Sequence, residues 1–303
     1  MKANEVQRCP LCGSPDRTVL YPSNLSNLQG SGSRYHCTNF GLGMHADIYR
    51  CLSCGMVFND PAPAAADHFD EYARAEDPDY LEQRLARRQT YARELDRLEP
   101  FVEGRELLDV GCYAGFFLEL ARERGFRVEG IEPSRWAAQH AGTRLGLSVS
   151  NCTIEEFPTD RRYDVVTLWD VIEHLSDPVR ALQRIRTILL PGGIVAFTTH
   201  NLDSLMARLL RGRYPFFMEM HTIHLDNRTL PLLLKKAGFA LVDRHPHRRA
   251  LHVGYMLSRL RRFGDRPAAL AIAASKWLGL ADRIVWIGGV GLETIIARPS
   301  EPR

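Results

Sequence analysis

Between residues 106 and 198 the chain alternates short apolar segments with helical ones, and this alternation constrains the fold more than any other feature. The apolar segments that we interpret as strands are 107–110, 128–131, 165–169 and 194–198. Helical segments lie between them, one capped by Ser134 and one opening with Asp177 and Pro178. Strands separated by helices are typical of βαβ units, so we expect an α/β fold with a parallel sheet covered on both faces.

The first predicted strand ends in a glycine-containing loop, DVGCYAG at residues 109–115, which leads directly into a helix. Glycines in such a loop let the backbone approach a ligand closely. The loop lacks the GxGxxG spacing of a dinucleotide site, and its Asp109 would repel a pyrophosphate. Glu132 ends the second predicted strand, where an acidic side chain accepts hydrogen bonds from ribose hydroxyls. The pattern favours a positively charged nucleoside without phosphate, which is the chemistry of S-adenosylmethionine.

Four motifs in register resemble those of class I S-adenosylmethionine-dependent methyltransferases. They are LLDVGCYAGFFLELA, VEGIEPS, YDVVTLWDVIEHLSDP and LLPGGIVAFTTHN, and they cover about residues 105–200. The resemblance implies a Rossmann-like, seven-stranded, mostly parallel sheet with helical insertions in the C-terminal part. It also implies an enzyme that transfers a methyl group from S-adenosylmethionine.

The same resemblance implies which residues bind the cofactor. Asp109, Gly111 and Gly115 would line its amino-acid part, Glu132 would hold the ribose, Cys152 and Thr153 would flank the adenine, and Trp169 and Asp170 would lie near the methionine end. Tyr113 stands where the family usually has the middle glycine of DxGxGxG. Its side chain either narrows the pocket or is tolerated there.

Two CxxCG segments form a matched pair near the N-terminus, with the cysteines Cys9, Cys12, Cys51 and Cys54. Two residues between thiolates and a following glycine make a tight turn in which both sulfurs face one ion. Two such turns form the tetrahedral four-sulfur site that zinc prefers, so we expect structural zinc. Cys37 and His36 are candidate replacements if one of the two CxxCG segments does not bind the ion. The alternative is that the four cysteines are free thiols or a redox pair. The segment resembles the zinc ribbon that precedes many bacterial methyltransferases.

The predicted organisation has three parts. Residues 1–60 form the zinc ribbon, 61–100 a linker and an amphipathic helix over 80–98, and 101–303 the methyltransferase domain, with substrate-side insertions at about 201–283. We expect the segment 284–297 to complete the sheet, with a bend at Gly288 and Gly289.

A DxxEH sequence follows the predicted fourth strand and contains Asp170, Glu173 and His174. It is similar to the ExxEH sequence that binds a divalent metal in ubiquinone-pathway O-methyltransferases and small-RNA 2′-O-methyltransferases. The resemblance implies a possible divalent metal at these three residues. The alternative is that Glu173 and His174 only hold the loop by hydrogen bonds.

Histidines are the candidates for a general base, because their pKa lies near neutrality. His174 belongs to the DxxEH sequence, His200 follows the fifth predicted strand, and His221 and His224 lie in a segment that resembles the family's substrate-facing lid. We name His174, His221 and His224 as the catalytic candidates. The alternative for each is a histidine at the surface or at the edge of the core.

The composition limits which kinds of partner we expect the chain to bind. Lys and Arg number 39 against 36 Asp and Glu, so the net charge of +3 does not by itself indicate a nucleic-acid or membrane partner. The apolar run 268–280 is interrupted by Lys276 and is shorter than the ~20 residues of a membrane span. No signal peptide is evident, and the expected location is the cytoplasm. The arginine-rich C-terminal region is interpreted as a solvated face rather than a phosphate site.

We expect a small-molecule acceptor, such as a sugar, a sugar nucleotide, a lipid or a natural product, methylated on oxygen. The first alternative is an RNA methyltransferase, but basic and acidic residues are nearly balanced in residues 1–60, so nucleic acid is not the expected partner. The second is a catalytically inactive cofactor-binding scaffold protein. The sequence leaves the acceptor and the oligomeric state open.

Overall fold

The computed structural model describes residues 8–25, 43–59, 72–158, 160–260, 265–288 and 291–300. The spare zinc ligands Cys37 and His36 and the linker at 61–66 lie outside these residues. Within the described part of the chain, no helix has both the length and the apolar character needed to cross a bilayer.

The secondary structure follows the predicted alternation. The strands are β1 (Arg17–Tyr21), β2 (Ile48–Cys51), β3 (Val57–Asn59), β4 (Glu106–Val110), β5 (Arg127–Ile131), β6 (Val149–Ser150), β7 (Tyr163–Leu168), β8 (Leu189–His200), β9 (Ile223–His224), β10 (Phe239–Pro246), β11 (Arg249–His252), β12 (Ile284–Ile287) and β13 (Leu292–Pro299). The helices are α1 (Pro78–Glu82), α2 (Arg84–Leu98), α3 (Phe116–Glu123), α4 (Arg135–Leu145), α5 (Pro178–Ile188), α6 (Leu205–Leu210), α7 (Thr229–Ala237), α8 (Val253–Ser258) and α9 (Asp265–Trp277).

The main sheet has seven strands in the order β10-β13-β8-β7-β4-β5-β6. Strands β8, β7, β4, β5 and β6 are parallel, while β13 pairs antiparallel with both β8 and β10. This confirms the predicted α/β fold with a seven-stranded, mostly parallel sheet. Because parallel strands end at the same edge of a sheet, the loops after β4, β5, β7 and β8 lie side by side.

Local capping explains where several helices begin and end. The Ser134 side chain accepts a hydrogen bond from the Ala137 amide at the start of α4, and the helix ends at Gly146 with a φ of 60°. Asp177 caps α5 in the same way. The predicted helix over 80–98 is interrupted at Gln83, which separates α1 from α2.

A smaller antiparallel sheet contains the N-terminal strands in the order β1-β2-β3-β9. In its last pairing Val57 lies opposite His224 and Phe58 lies opposite Ile223. Strand β9 comes from the region predicted as a substrate-side insertion. The N-terminal sheet is therefore completed by a strand of the methyltransferase part.

Strands β11 and β12 form a separate two-stranded sheet that, together with α8 and α9, makes a cap. The expectation that 284–297 would be one bent strand of the main sheet is correct only for its second half. Residues 284–287 pair with β11, and β13 begins one residue after Gly291, whose φ of 83° turns the chain. The cap rests on α2, where the Ala250 amide donates a 2.9 Å hydrogen bond to Oγ1 of Thr90.

Candidate functional site

The loop after β4 contains two glycines with left-handed backbone. Gly111 has a φ of 71° and Gly115 a φ of 79°. A Cβ atom would lie 2.6 Å from Val171 Cγ2 at the first position and 2.6 Å from Leu147 Cδ1 at the second. Both positions therefore require glycine for backbone geometry and for close packing.

Tyr113 also has a positive φ, 46°, which is unusual for a bulky residue. Its ring is buried and packs edge-on against Tyr80 at 4.3 Å between centroids, with Trp136 at 6.1 Å. Its amide donates a 2.9 Å hydrogen bond to Oε2 of Glu132. The side chain belongs to an aromatic cluster beside the loop, and the backbone amide holds the acidic residue at the end of β5.

Asp109 and Glu132 are two buried carboxyl groups at the carboxyl edge of the sheet. Burial, together with the neighbouring Glu132, raises the pKa of Asp109 to about 8. Burial also raises the pKa of Glu132 to about 7, although the Ser134 and Tyr113 amides and the Tyr72 hydroxyl donate hydrogen bonds to it.

No basic side chain among the described residues forms an ion pair with either carboxyl group. Buried carboxylates without a counter-charge are unfavourable, and a cationic ligand removes that penalty. The predicted cofactor carries a sulfonium, an ammonium and a ribose. The donor set and charge of this pocket fit it.

The predicted adenine and methionine residues lie at the same edge. Cys152 and Thr153 follow β6, and Oε2 of Glu156 accepts hydrogen bonds from the amide and the hydroxyl of Thr153. Trp169 follows β7, and its ring packs against Phe117 at 5.1 Å, so it is also a core residue. Its indole Nε1 is buried and has no hydrogen-bond acceptor.

Asp170 adopts a left-handed conformation with a φ of 57° at the end of β7. Its Oδ1 accepts a 2.9 Å hydrogen bond from Thr198 Oγ1 and forms a 2.5 Å ion pair with Nη2 of Arg249. Burial acts to raise the pKa of Asp170, but the Arg249 charge, the His247 and Arg87 charges and the Thr198 hydrogen bond together outweigh it, so the pKa is lowered. The carboxylate is thus directed toward the cap.

Glu173, His174 and His221 form a second cluster, with one possible ligand atom from each lying within 4.8 Å of the others. The predicted metal set was Asp170, Glu173 and His174. His221 takes the place of Asp170, because Asp170 is held by Arg249 and Thr198. Burial and the Asp170 charge raise the pKa of Glu173 to about 8, and its Oε2 is buried with no hydrogen-bond donor.

Backbone carbonyls determine the tautomers of both histidines in this cluster. Nδ1 of His174 lies 3.0 Å from the Met220 carbonyl oxygen, and Nδ1 of His221 lies 2.7 Å from that of Phe216. A carbonyl only accepts, so each Nδ1 carries the proton. In the neutral rings each Nε2 is therefore a lone-pair acceptor, as metal ligands and general bases require.

His224, the third predicted catalytic histidine, is completely buried. Its Nδ1 lies 2.7 Å from Nε2 of His200, and its Nε2 lies 2.8 Å from Oδ1 of Asn59. Burial and the neighbouring His200 lower the pKa of His224 well below its usual range. Both ring nitrogens are hydrogen-bonded within the protein, which suits a structural role better than proton transfer.

The structure brings the four N-terminal cysteines together. Ligand atoms of Cys9, Cys12, Cys51 and Cys54 all lie within 4.8 Å of one another, with Sγ–Sγ distances of 3.6 Å for Cys9–Cys54 and 3.5 Å for Cys12–Cys51. Tetrahedral zinc with bonds of about 2.3 Å needs thiolates about 3.8 Å apart. The four thiols fit that geometry.

Several site residues had no recognisable signal in the sequence. Asn59 and Tyr72 lie far from the motifs along the chain, yet they contact His224 and Glu132. Arg249 was noted only as one of many arginines in the C-terminal region. A long-range partner of this kind has no fixed spacing from the motif it supports.

A family model described as a methyltransferase domain matches residues 81–244. A ubiquinone biosynthesis O-methyltransferase of Alkalilimnicola ehrlichii is 36% identical over 107 residues, which cover 33% of this chain and 43% of the relative. The corresponding protein of Aeromonas salmonicida is 38% identical over 105 residues, covering 32% and 44%. The chain thus spans less than half the length of these curated relatives.

Among solved structures, a chain of the Haloferax volcanii complex that contains the Trm112 methyltransferase activator is similar in fold. Its TM-score is 0.53 at 16% identity, over 78% of this chain and 98% of that one. The match to the family model extends over more than half of the chain, from α1 to β10. The chain therefore belongs to this family of methyltransferase domains.

Proposed function

We propose that the enzyme transfers a methyl group to an oxygen atom of a small molecule, such as a sugar, a sugar nucleotide, a lipid or a natural product. The observation that carries this proposal is the convergence of Glu173, His174 and His221. A hydroxyl acceptor must lose its proton, and a neutral histidine with a lone pair on Nε2 can accept it. The O-methyltransferase names of the curated relatives also favour oxygen.

His174 is the proposed general base, because its side chain is solvent-exposed and its Nδ1 proton is held by the Met220 carbonyl. The acceptor oxygen attacks the methyl carbon of the sulfonium. The carbon–sulfur bond breaks, the sulfur keeps the electron pair, and the acceptor proton moves to Nε2 of His174. The protein must align the oxygen at about 3–3.5 Å from the methyl carbon.

We assign the cofactor contacts by the same geometry. Glu132 accepts hydrogen bonds from the ribose hydroxyls, and Asp109, Gly111 and Gly115 line the amino-acid part. Cys152 and Thr153 flank the adenine, while Trp169 and Asp170 lie toward the methionine end. The support is that all these residues lie at or just beyond the carboxyl ends of strands in the main sheet.

A second mechanism, in which a divalent cation activates the acceptor hydroxyl, is favoured by Oε2 of Glu173, which is buried and has no hydrogen-bond donor. Glu173, His174 and His221 would then hold a divalent cation with one carboxylate and two imidazoles. When bound, such a cation would lower the pKa of a coordinated acceptor hydroxyl. In this version His174 and His221 are ligands, and their carbonyl partners orient the rings.

Zinc at the four N-terminal cysteines is proposed as a structural ion. Four thiolates leave no open coordination position, so this site does not act on the acceptor. The supporting contacts attach the site to the rest of the chain. Lys236 Nζ donates a 2.5 Å hydrogen bond to the Leu11 carbonyl between the first two cysteines.

The test is release of S-adenosylhomocysteine from S-adenosylmethionine in the presence of a panel of hydroxyl-bearing small molecules. Mass spectrometry of the product identifies the methylated atom. We expect O-methylated product, and we expect His174→Ala to reduce the rate constant by roughly 10²–10⁴-fold without loss of cofactor binding. If a metal chelator stops the reaction, the mechanism with a divalent cation at Glu173, His174 and His221 is supported over the one with His174 as general base.

Products methylated only on nitrogen or carbon would overturn the proposal. Thr187→Ala is a suitable control variant, because Thr187 is exposed on α5 and its hydroxyl bonds only the Arg184 backbone and side chain. Equal losses in the His174 and Thr187 variants would also contradict the assignment of the base.

A further inference from the structure

Helix α9 of the cap exposes an apolar stripe to solvent. Leu270 is 71% exposed and Trp277 is 86% exposed. The exposed Ala273 and Ala274 lie between them at helical spacing, so these side chains share one face. Leu278 extends the stripe and is 57% exposed.

The opposite face of α9 is the one that packs on the protein. Ala268 and Ser275, seven residues apart, are buried there. A helix on the surface of a monomer normally presents polar residues opposite its buried face. Because the outer face of α9 is apolar although it is exposed to solvent, it has the character of a contact surface.

The sequence of the cap is rich in basic residues. The cap region 247–288 contains eight Lys and Arg residues and only two Asp and Glu residues, although the whole chain has a net charge of only +3. Arg266 and Lys276 are exposed on α9 itself, and Arg283 is exposed just beyond it. The positive charge is concentrated in the cap rather than spread over the molecule.

The positive charge of the cap indicates which kind of partner fits the outer face of α9. A second copy of the chain would bring one basic cap against another, and like charges across an interface are unfavourable. An anionic lipid surface has the complementary charge and accepts the apolar stripe. A helix of this length lies in the interface and does not cross the bilayer.

We propose that the outer face of α9 docks the enzyme on an anionic phospholipid surface, with Leu270, Trp277 and Leu278 inserted and Arg266, Lys276 and Arg283 at the headgroups. The cap also contacts the catalytic edge, since Arg249 of β11 pairs with Asp170. Docking there would bring the site close to a lipid-associated acceptor. That last consequence rests on the proposed function, whereas the docking surface does not.

The experiment uses the full chain and vesicles of phosphatidylcholine, with and without phosphatidylglycerol. We expect sedimentation with the anionic vesicles only, a blue shift of tryptophan fluorescence on binding, and loss of binding at high salt. Trp277→Glu and Leu270→Glu should each weaken binding by about tenfold or more, because a charge replaces an inserted side chain. Lys276→Gln should weaken it by about fivefold.

Leu85→Glu is the matched control, since Leu85 is an exposed leucine on α2 outside the cap. The proposal is overturned if neither vesicle binds the protein, or if the Leu85 variant loses as much binding as the Leu270 variant. A concentration-dependent dimer that Trp277→Glu dissociates in the absence of lipid would assign the face to a second copy instead. Calorimetric titration with S-adenosylhomocysteine, expected to be the same in all variants, separates a failure here from a failure of the proposed function.

Discussion

Asn59 and His224 join the N-terminal sheet to the methyltransferase part through one buried hydrogen bond. The Asn59 amide group donates from Nδ2 to the Met218 carbonyl at 2.8 Å, so its Oδ1 must face His224. Nε2 of His224, at 2.8 Å, therefore carries a proton and donates it to that oxygen. A residue of the predicted zinc ribbon determines the tautomer of a histidine in the catalytic part.

The chain of hydrogen bonds continues from His224 to His200. Since His224 is neutral, its Nδ1 has no proton and accepts the hydrogen bond from Nε2 of His200. Burial, together with the neighbouring His174, lowers the pKa of His200 to about 3, so that ring is also neutral. The His200 ring stacks on His221 at 5.5 Å between centroids. The chain of contacts from Asn59 thus ends against a residue of the proposed active site.

Asn59→Leu tests this chain of hydrogen bonds. The variant leaves the buried Nε2 donor of His224 without an acceptor, which costs about 1–3 kcal/mol in the free energy of unfolding. Urea denaturation measures that loss, and nitrogen-15 NMR of the histidine rings reports the tautomers. An unchanged free energy of unfolding together with unchanged tautomers would show that Asn59 does not determine them.

Glu132→Ala tests the ribose contact. We expect calorimetric titration to show that S-adenosylhomocysteine binds more than tenfold more weakly, because two hydrogen bonds to a charged acceptor are lost. Glu132 also accepts bonds from the Tyr113 and Ser134 amides, so the more conservative Glu132→Gln is measured in parallel. Glu103→Ala, an exposed change, is the control. If both Glu132 variants bind S-adenosylhomocysteine with unchanged affinity, Glu132 does not contact the ribose.

Metal analysis tests the four-cysteine site. We expect about one zinc per chain, retained by Cys152→Ser and lost in Cys12→Ser. Loss of zinc should lower the thermal stability of the N-terminal sheet, because a small sheet depends on its metal for folding energy. A metal-free protein with the same melting behaviour as the purified one would contradict a structural role for zinc.

The sequence predicted the parallel part of the main sheet and the four-cysteine cluster because both depend on short-range patterns. Strand β4, the glycine loop and α3 follow each other within one motif, and each CxxCG turn closes locally. The pairing of β3 with β9 was not predictable, since it joins residues more than 160 positions apart by one ladder of only two residue pairs. The exchange of Asp170 for His221 in the second cluster has a similar cause, because Arg249 and His221 approach from distant segments.

A buried carboxylate, Glu94 of α2, predicts how stability depends on pH. Thr294 Oγ1 donates to its Oε2 at 2.7 Å, and His245 Nε2 lies 3.0 Å from the same oxygen. Burial alone would raise the pKa of Glu94, but the contacts with His245 and His247 and the Thr294 hydrogen bond together outweigh it and hold the pKa well below its usual range. Burial would lower the pKa of His245, but Glu94 and Asp243 raise it above its usual value.

The two shifts act in opposite directions. The Glu94 contribution is fully present above its unfolded pKa of about 4.3 and is lost as the pH falls through the lowered folded value. The His245 contribution is fully present below its unfolded pKa of about 6.5 and is lost as the pH rises through the raised folded value. The pair therefore stabilises the protein most between these limits, where α2 is held against β10 and β13.

Glu94→Gln should lower the free energy of unfolding by about 3 kcal/mol near pH 6, because it removes the buried one of the two carboxylates that pair with His245 and leaves Asp243 as the other. The loss should be smaller in alkaline solution, at a pH above the raised folded pKa of His245, where that ring is neutral. Urea denaturation at the two pH values measures the difference. Glu123→Gln, which removes an exposed ion pair with Arg88, is the control and should change the free energy by less than about 1 kcal/mol at either pH. An equal loss for Glu94→Gln at both pH values would mean that the charge of His245 does not contribute, and the stabilisation would then come from the hydrogen bonds of Glu94 with Thr294 and His245.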